Sequence, residues 1–149
     1  MNVPTSPHLS NFILCAMGVI AAYVSWSDGK FFIYTPSEVG VSAMGDTVEK
    51  AKETFEALVS EYKEMCSESG ADVPAELVGA YSIDYRMEAS ALLQELPISL
   101  RDLAHASGLN QRQLSAYKNG TKVPREGTKV KILRGIKDIG ETLSRVTLW

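Results

Sequence analysis

The amino-acid sequence predicts an α+β protein in which a small sheet domain precedes an all-helical domain. Short strand-like runs separated by turn residues prevail up to about residue 86. Beyond that point apolar residues recur at helical spacing. The charge also changes sign, since residues 1–96 hold five Lys and Arg against fourteen Asp and Glu, whereas residues 97–149 hold ten against four. The net charge of −3 therefore combines an acidic part near −9 with a basic part near +6.

The first segment, residues 1–18, is expected to be an extension that precedes the sheet domain. The apolar run that starts at Phe12 is too short to cross a bilayer comfortably and lacks the basic flank of a signal peptide. We therefore interpret this run as a buried strand, with Met17 as an alternative start of translation. Cys15 and Cys66 have no zinc-like spacing to other ligands, which favours two reduced thiols in a cytoplasmic protein without a membrane partner.

The second segment, residues 19–86, is predicted to begin as a meander of three strands. Residues 19–26 and 31–35 have strand-like composition and flank Asp28-Gly29, a dipeptide typical of a tight hairpin turn. A third short strand is expected near Met44. A fourth strand, after a helix, would complete a β-β-β-α-β order.

A long amphipathic helix is predicted between the third and fourth strands. Asp46 is expected to be its N-cap, with Glu49 at the reciprocal capping position. The fourth strand is expected over residues 79–85. The apolar residues of the helix form one stripe that would lie across the sheet: Val48, Ala51, Phe55, Leu58, Val59, Tyr62 and Met65.

The turn before this helix has a Gly-x-x-x-x-Gly-Asp-Thr pattern, formed by Gly40, Gly45, Asp46 and Thr47. With the acidic helix that follows, it resembles the N-terminal domain of HicB-type antitoxins over residues 19–85. The resemblance implies a sheet related to part of a ribonuclease H fold, placed before a DNA-binding domain. It also implies a partner, because a HicB antitoxin covers a small basic ribonuclease, the HicA toxin. The acidic helix face is then either a solvated surface or a toxin-binding surface whose candidate residues are Glu53, Glu56 and Glu64.

The start of the basic part has the pattern of two short helices that cross. Ser99 and Asp102 suit the N-cap of the first helix and its reciprocal partner, and Gly108 permits a sharp turn to the second. The second helix is expected to begin at Asn110 and to end at Asn119-Gly120. The apolar residues expected between the helices are Leu100, Leu103, Ala104, Leu114 and Tyr117.

The spacing of Ala104, Gly108 and Leu114 resembles that of lambda-repressor-like (Cro/XRE) helix-turn-helix proteins, over residues 88–143. Such proteins place the second helix in the major groove with its N-terminal residues at the base edges. Arg suits guanine and Gln suits adenine, so Arg112 and Gln111 are the preferred readers. The full set of base-contacting candidates is Asn110, Gln111, Arg112, Ser115 and Ala116. The phosphate-contacting candidates are Lys118, Lys122, Arg125, Thr128 and Lys129.

A final helix is predicted from about Arg125. The residues expected to cover the crossed helices are Val130, Leu133, Ile136, Ile139 and Leu143. Residues 145–149 alternate in polarity and are interpreted as a short strand, a dimer contact or a frayed end. A homodimer or higher homo-oligomer is expected, because one module of this size buries little surface on DNA and operators are commonly read by symmetric pairs.

The sequence thus predicts an antitoxin that neutralises a HicA-like ribonuclease through its sheet domain. Its third segment, residues 87–149, would bind operator DNA and repress its own operon. Two alternatives stay open: a transcriptional regulator whose sheet domain senses a small molecule or dimerises, and a metal-dependent nuclease built on the ribonuclease H resemblance. The nuclease needs converging carboxylates, for which Asp28, Glu38 and Asp84 qualify by residue type alone. No catalytic residue, metal ligand or cofactor is predicted.

Overall fold

The computed structural model describes residues 17–148. Within that range the protein is α+β, as predicted, with four strands in one sheet and five α-helices. Residues 1–16 of the expected extension, Cys15 among them, and Trp149 lie outside the described residues. In chain order the elements are β1 (Gly18–Ser27), β2 (Lys30–Tyr34), β3 (Ser42–Gly45), α1 (Val48–Ser69), a 3-10 turn (Ala75–Leu77), β4 (Tyr81–Met87), α2 (Ala89–Glu95), α3 (Leu100–Ser107), α4 (Gln111–Lys118) and α5 (Glu126–Ser144).

The sheet is mixed and has the strand order β3-β2-β1-β4. The Asp28-Gly29 turn joins β1 to β2, with φ angles of 50° and 80° that a tight hairpin turn of this hand requires. The Gly18 N–H donates to the Ala80 carbonyl at 3.2 Å, and the Glu88 N–H donates to the Val24 carbonyl at 2.8 Å. Because both pairs advance in the same direction, β4 runs parallel to β1. The four predicted strands are confirmed.

The N-cap of α1 differs from the prediction. The hydroxyl of Thr47 accepts a hydrogen bond from the Lys50 N–H at 3.2 Å, so Thr47 is the cap and the prediction of Asp46 was wrong. Thr47 keeps an extended backbone, with φ −128° and ψ 161°, and the helix therefore begins one residue later than expected. The reciprocal position is consequently occupied by Lys50 rather than by Glu49.

The buried face of α1 follows the predicted stripe except at its end. Four residues of the stripe are buried, namely Val48, Ala51, Phe55 and Val59. Met65 is 57% exposed, contrary to the prediction, and Cys66 is buried in its place. The reason is helical geometry, since Cys66 lies two turns beyond Val59 on the same face, whereas Met65 is rotated away by about 100°.

The described chain divides into two compact units. One contains residues 17–23 and Ile33–Arg86, and the other contains Val24–Phe32 and residues 87–148. The second unit therefore includes the tip of the β1-β2 hairpin. There the Trp26 N–H donates to the Ser90 hydroxyl at 3.0 Å.

The second unit contains the two short helices that the sequence predicts. The Ser99 hydroxyl accepts from the Asp102 N–H at 3.0 Å at the start of α3, and Gly108 ends that helix with a φ of 72°. Helix α2 was not predicted, because its N-cap residue is Glu88, whereas Ser, Thr, Asp or Asn would signal a helix start. Glu88 makes no side-chain capping bond. The buried core of these helices consists of Leu93, Leu103, Leu114, Tyr117 and Ile132.

Helix α5 has the predicted position but a different buried face. Val130 is 56% exposed, Leu133 49% and Leu143 65%, so the prediction that they cover the core was wrong. Ile132 and Gly135 are buried instead, while Ile136 and Ile139 pack against the core as expected. Because Gly135 has no side chain, the sequence periodicity does not reveal it as a contact. Residues 145–148 are exposed and form no strand.

Gly135 provides a test of this packing. A Cβ atom at Gly135 would lie 3.0 Å from the Ser107 backbone nitrogen and 3.2 Å from the Leu103 side chain, whereas one at Gly140 would meet nothing within 4 Å. We expect Gly135→Val to lower the free energy of unfolding by about 2–3 kcal/mol, because it forces α5 away from α3. Gly140→Val on the same helix should change it by less than about 0.5 kcal/mol. Urea titrations compare the two, and equal midpoints would contradict the close approach.

Candidate nucleic-acid interface

Helix α4 presents its N-terminal turn to solvent. The Asn110 side-chain oxygen accepts from the Arg112 N–H at 2.8 Å and so fixes the start of the helix. Gln111 and Arg112 are exposed, and Ser115 and Ala116 are half-buried. Ser115 and Ala116 lie three and four residues after Arg112, so these three residues share one helix face, opposite the buried Leu114 and Tyr117.

A shallow groove of about 430 Å³ runs along one side of α4. It is lined by Asn110, Arg112, Gln113, Ala116, Tyr117 and Lys122. Three of the predicted base-contacting residues thus meet one of the predicted phosphate-contacting residues. The Gln113 amide donates to the Tyr117 hydroxyl at 2.7 Å, which fixes two polar groups in the groove wall. The sequence predicts no role for Gln113 and places Tyr117 only in the core.

Lys122 reaches this groove because the chain folds back after α4. The Ala116 carbonyl accepts from the N–H groups of Thr121 and Lys122, at 3.0 and 3.2 Å, and from the Thr121 hydroxyl at 3.0 Å. These bonds hold the loop beside the helix that precedes it. Lys122 is exposed and lines the groove, where its ammonium group would suit a phosphate.

The other predicted phosphate-contacting residues have different surroundings. Arg125 is exposed at the N-cap of α5, whereas Lys118 and Thr128 are half-buried. The Lys129 ammonium lies 2.6 Å from the Glu126 carboxylate. Lys122 and Arg125 are therefore the better placed cations, and part of the Lys129 charge is compensated locally.

Gln111 lies beside a second, wider groove of about 1070 Å³ between α3 and α5. Its lining includes two carboxylates, Asp102 and Asp138, together with Arg101 and His105. The two preferred base readers, Gln111 and Arg112, therefore line different grooves. Arg112 shares its groove with Lys122, whereas the two carboxylates in the groove of Gln111 would repel DNA phosphates.

The three candidate toxin-binding residues are all exposed on α1. Glu56 accepts a hydrogen bond from the Tyr85 hydroxyl at 2.8 Å, and the Tyr85 ring packs edge-on against Phe55. Burial raises the pKa of Tyr85 above its usual value, and the bond to Glu56 adds to that rise. Glu53 and Glu64 are eleven residues apart, close to three full turns, so they share one face of the helix.

The carboxylates that a nuclease would need are dispersed. Among residues 17–148, no group of three or more His, Cys, Asp and Glu side chains is placed to hold a metal ion. Asp28 lies in the hairpin turn, Glu38 is exposed after β2, and Asp84 pairs with Arg86 at 2.9 Å. None of the helices within the described range has the length and apolar character needed to span a bilayer.

Comparison of the chain with models of protein families, with curated proteins and with solved structures finds no match in any of the three.

Proposed function

We propose that the chain is a HicB-type antitoxin that represses its own operon through α3 and α4 and neutralises a HicA-like ribonuclease through its acidic sheet domain. The observation that carries this proposal is the groove of α4, where Arg112 and Ala116 lie beside Lys122. A base-reading helix needs this combination of an exposed N-terminal turn and a flanking cation. In this proposal α3 and α4 are a helix-turn-helix, with α4 as the recognition helix.

The sheet domain supports the antitoxin part of the proposal. Its elements follow the β-β-β-α-β order that the HicB resemblance implies. The motif residues of the turn before α1 also have distinct roles there. A Cβ atom at Gly45 would lie 2.6 Å from the Ala51 nitrogen, Gly40 has a φ of 60°, and Thr47 caps the helix. The motif therefore specifies a turn in which the chain comes very close to the helix that follows.

Charge supports a division of roles between the two parts. The part with α3, α4 and α5 is near +6, which suits the release of counterions from DNA phosphates. The part with the sheet is near −9 and suits a basic protein partner. An acidic surface of this kind would speed encounter with a basic ribonuclease in particular.

Two assays of the full chain test the proposal. Footprinting on the DNA upstream of its own gene should show protection of paired half-sites about one helical turn, or a multiple of it, apart. Co-expression with a neighbouring gene for a small basic protein should rescue cells that this protein alone arrests. Footprinting without protection, together with arrest that the full chain does not relieve, would overturn the proposal.

A further inference from the structure

Strand β4 forms an outer edge of the sheet, with backbone groups that point outward. It is the last strand in the sheet order, so no other strand among residues 17–148 pairs with its outer side. The Ala80 carbonyl and the Glu88 N–H both bond to β1. Backbone groups alternate in direction along a strand, so even-numbered residues of β4 bond toward β1. Tyr81, Ile83 and Tyr85 therefore point their N–H and C=O groups away from the sheet. Outward backbone groups of this kind can pair with a further strand.

Two opposite charges stand on this edge strand. The Arg86 Nε lies 2.9 Å from the Asp84 carboxylate, and the two side chains are 56% and 48% exposed. Because they are two residues apart, they project from the same face of the sheet. The Arg86 guanidinium also donates to the Tyr23 hydroxyl at 3.4 Å, which holds it over that face.

We propose that β4 pairs antiparallel with β4 of a second copy of this chain, about a two-fold axis at Tyr85. In this register Tyr85 faces its own copy as a hydrogen-bonded pair, which agrees with its outward backbone groups. Asp84 of each chain then lies opposite Arg86 of the other, in the non-hydrogen-bonded pairs where side chains are closest. The strand is therefore complementary to itself, as a two-fold interface requires.

The charges select this register over its neighbours. An axis at Asp84 would place two aspartates opposite each other, and an axis at Arg86 would place two arginines opposite each other. Like charges directly opposite on paired strands are destabilising. Within each chain, Lys52 and Glu56 of α1 lie beside Tyr85: the Lys52 ammonium is 4.7 Å from the ring centre, and Glu56 accepts a hydrogen bond from the Tyr85 hydroxyl.

This interface gives a surface to the homodimer of the proposed function, but it requires neither DNA nor a toxin. A failure of the antitoxin proposal would therefore leave it standing. If the β4 interface is refuted instead, the DNA and toxin assays still test the antitoxin proposal.

Charge exchange tests the register in the full chain. Asp84→Arg and Arg86→Asp each place like charges opposite one another, and each should weaken dimerisation about tenfold or more, which sedimentation equilibrium measures. The double variant should restore the dimer, because every arginine again faces an aspartate. Asp72→Arg, an exposed loop change of the same charge, is the matched control and should leave the dimer intact. Circular dichroism verifies that all variants remain folded.

Each contrary result overturns the proposal. If the wild-type chain is a monomer, β4 does not pair with a second copy of this chain. Single variants that keep the wild-type mass would place the interface elsewhere, and a double variant that stays dissociated would exclude the register.

Cysteine cross-linking gives a second measurement of the same register. In a background with Cys15→Ser and Cys66→Ala, an Asp84→Cys chain mixed with an Arg86→Cys chain should form a disulfide-linked pair. Directly opposite positions lie about 4.5–5.5 Å apart, whereas the diagonal positions that each chain offers alone are about 7–8 Å apart. More cross-linking within either single preparation than in the mixture would contradict the axis at Tyr85.

Discussion

Replacing Arg112 with alanine is expected to weaken binding to the operator by about 1–3 kcal/mol, which is about 5- to 150-fold, and to change binding to unrelated DNA much less. Arg112 is exposed on the first turn of α4, and its backbone is held by the Asn110 cap. Its guanidinium can donate two parallel hydrogen bonds to one guanine. Fluorescence anisotropy with an operator duplex and a scrambled duplex, at one fixed salt concentration, measures both affinities.

The lysine at the same groove provides the contrast. Lys122→Ala should weaken binding to both duplexes and reduce the slope of log affinity against log salt by about one. Lys129→Ala should have a smaller effect, because Glu126 already compensates that charge. Lys50→Ala, an exposed change on α1, should affect neither duplex. If Arg112→Ala weakens both duplexes equally, Arg112 contacts phosphate and the assignment of base reading is wrong.

The features that sequence predicts well here are local. Ser99, Asn110 and the Asp28-Gly29 turn are recognisable because a cap or tight turn depends on a few adjacent residues. The N-cap of α1 shows how narrow the margin is, since Asp46 and Thr47 are both good caps and only the backbone conformation decides between them. Local chemistry therefore locates the start of this helix to within one residue.

Features that depend on packing escape the sequence. The face of α5 was predicted from Val130 and Leu133, yet the close approach to α3 requires Gly135, which no hydrophobic pattern can reveal. Helix α2 has no side-chain capping bond, and what fixes it is the burial of Ser90, Ala91 and Leu93. The candidate groove also depends on packing, because Lys122 lies beside Arg112 only after the loop has folded back onto the Ala116 carbonyl. Sequence thus supplied candidate residues, while the folded chain decides which of them are neighbours.

Reversing the three candidate glutamates of α1 is expected to abolish protection against the basic ribonuclease. Glu53→Lys, Glu56→Lys and Glu64→Lys together change the net charge from −3 to +3. They turn an acidic face that attracts a basic partner into one that repels it. Association of the full chain with the ribonuclease should slow by about tenfold or more at low salt, and the salt dependence of the association rate should fall. Stopped-flow association measures the rate, and co-expression measures the protection.

A control with the same net charge distinguishes an effect of charge on the α1 face from an effect of overall charge. Glu38→Lys, Asp72→Lys and Glu95→Lys also change the net charge to +3, and all three residues are exposed outside α1. If protection depends on the α1 face, this control keeps most of its protection while the α1 variant loses it. Glu56→Gln alone removes the charge and keeps the packing, since its amide oxygen can still accept a hydrogen bond from the Tyr85 hydroxyl. Slower association of this variant with the ribonuclease would therefore report the lost charge and not lost packing. Equal loss in the α1 variant and in the control would mean that overall charge alone drives association, and the α1 face would then have to be abandoned as the toxin-binding surface.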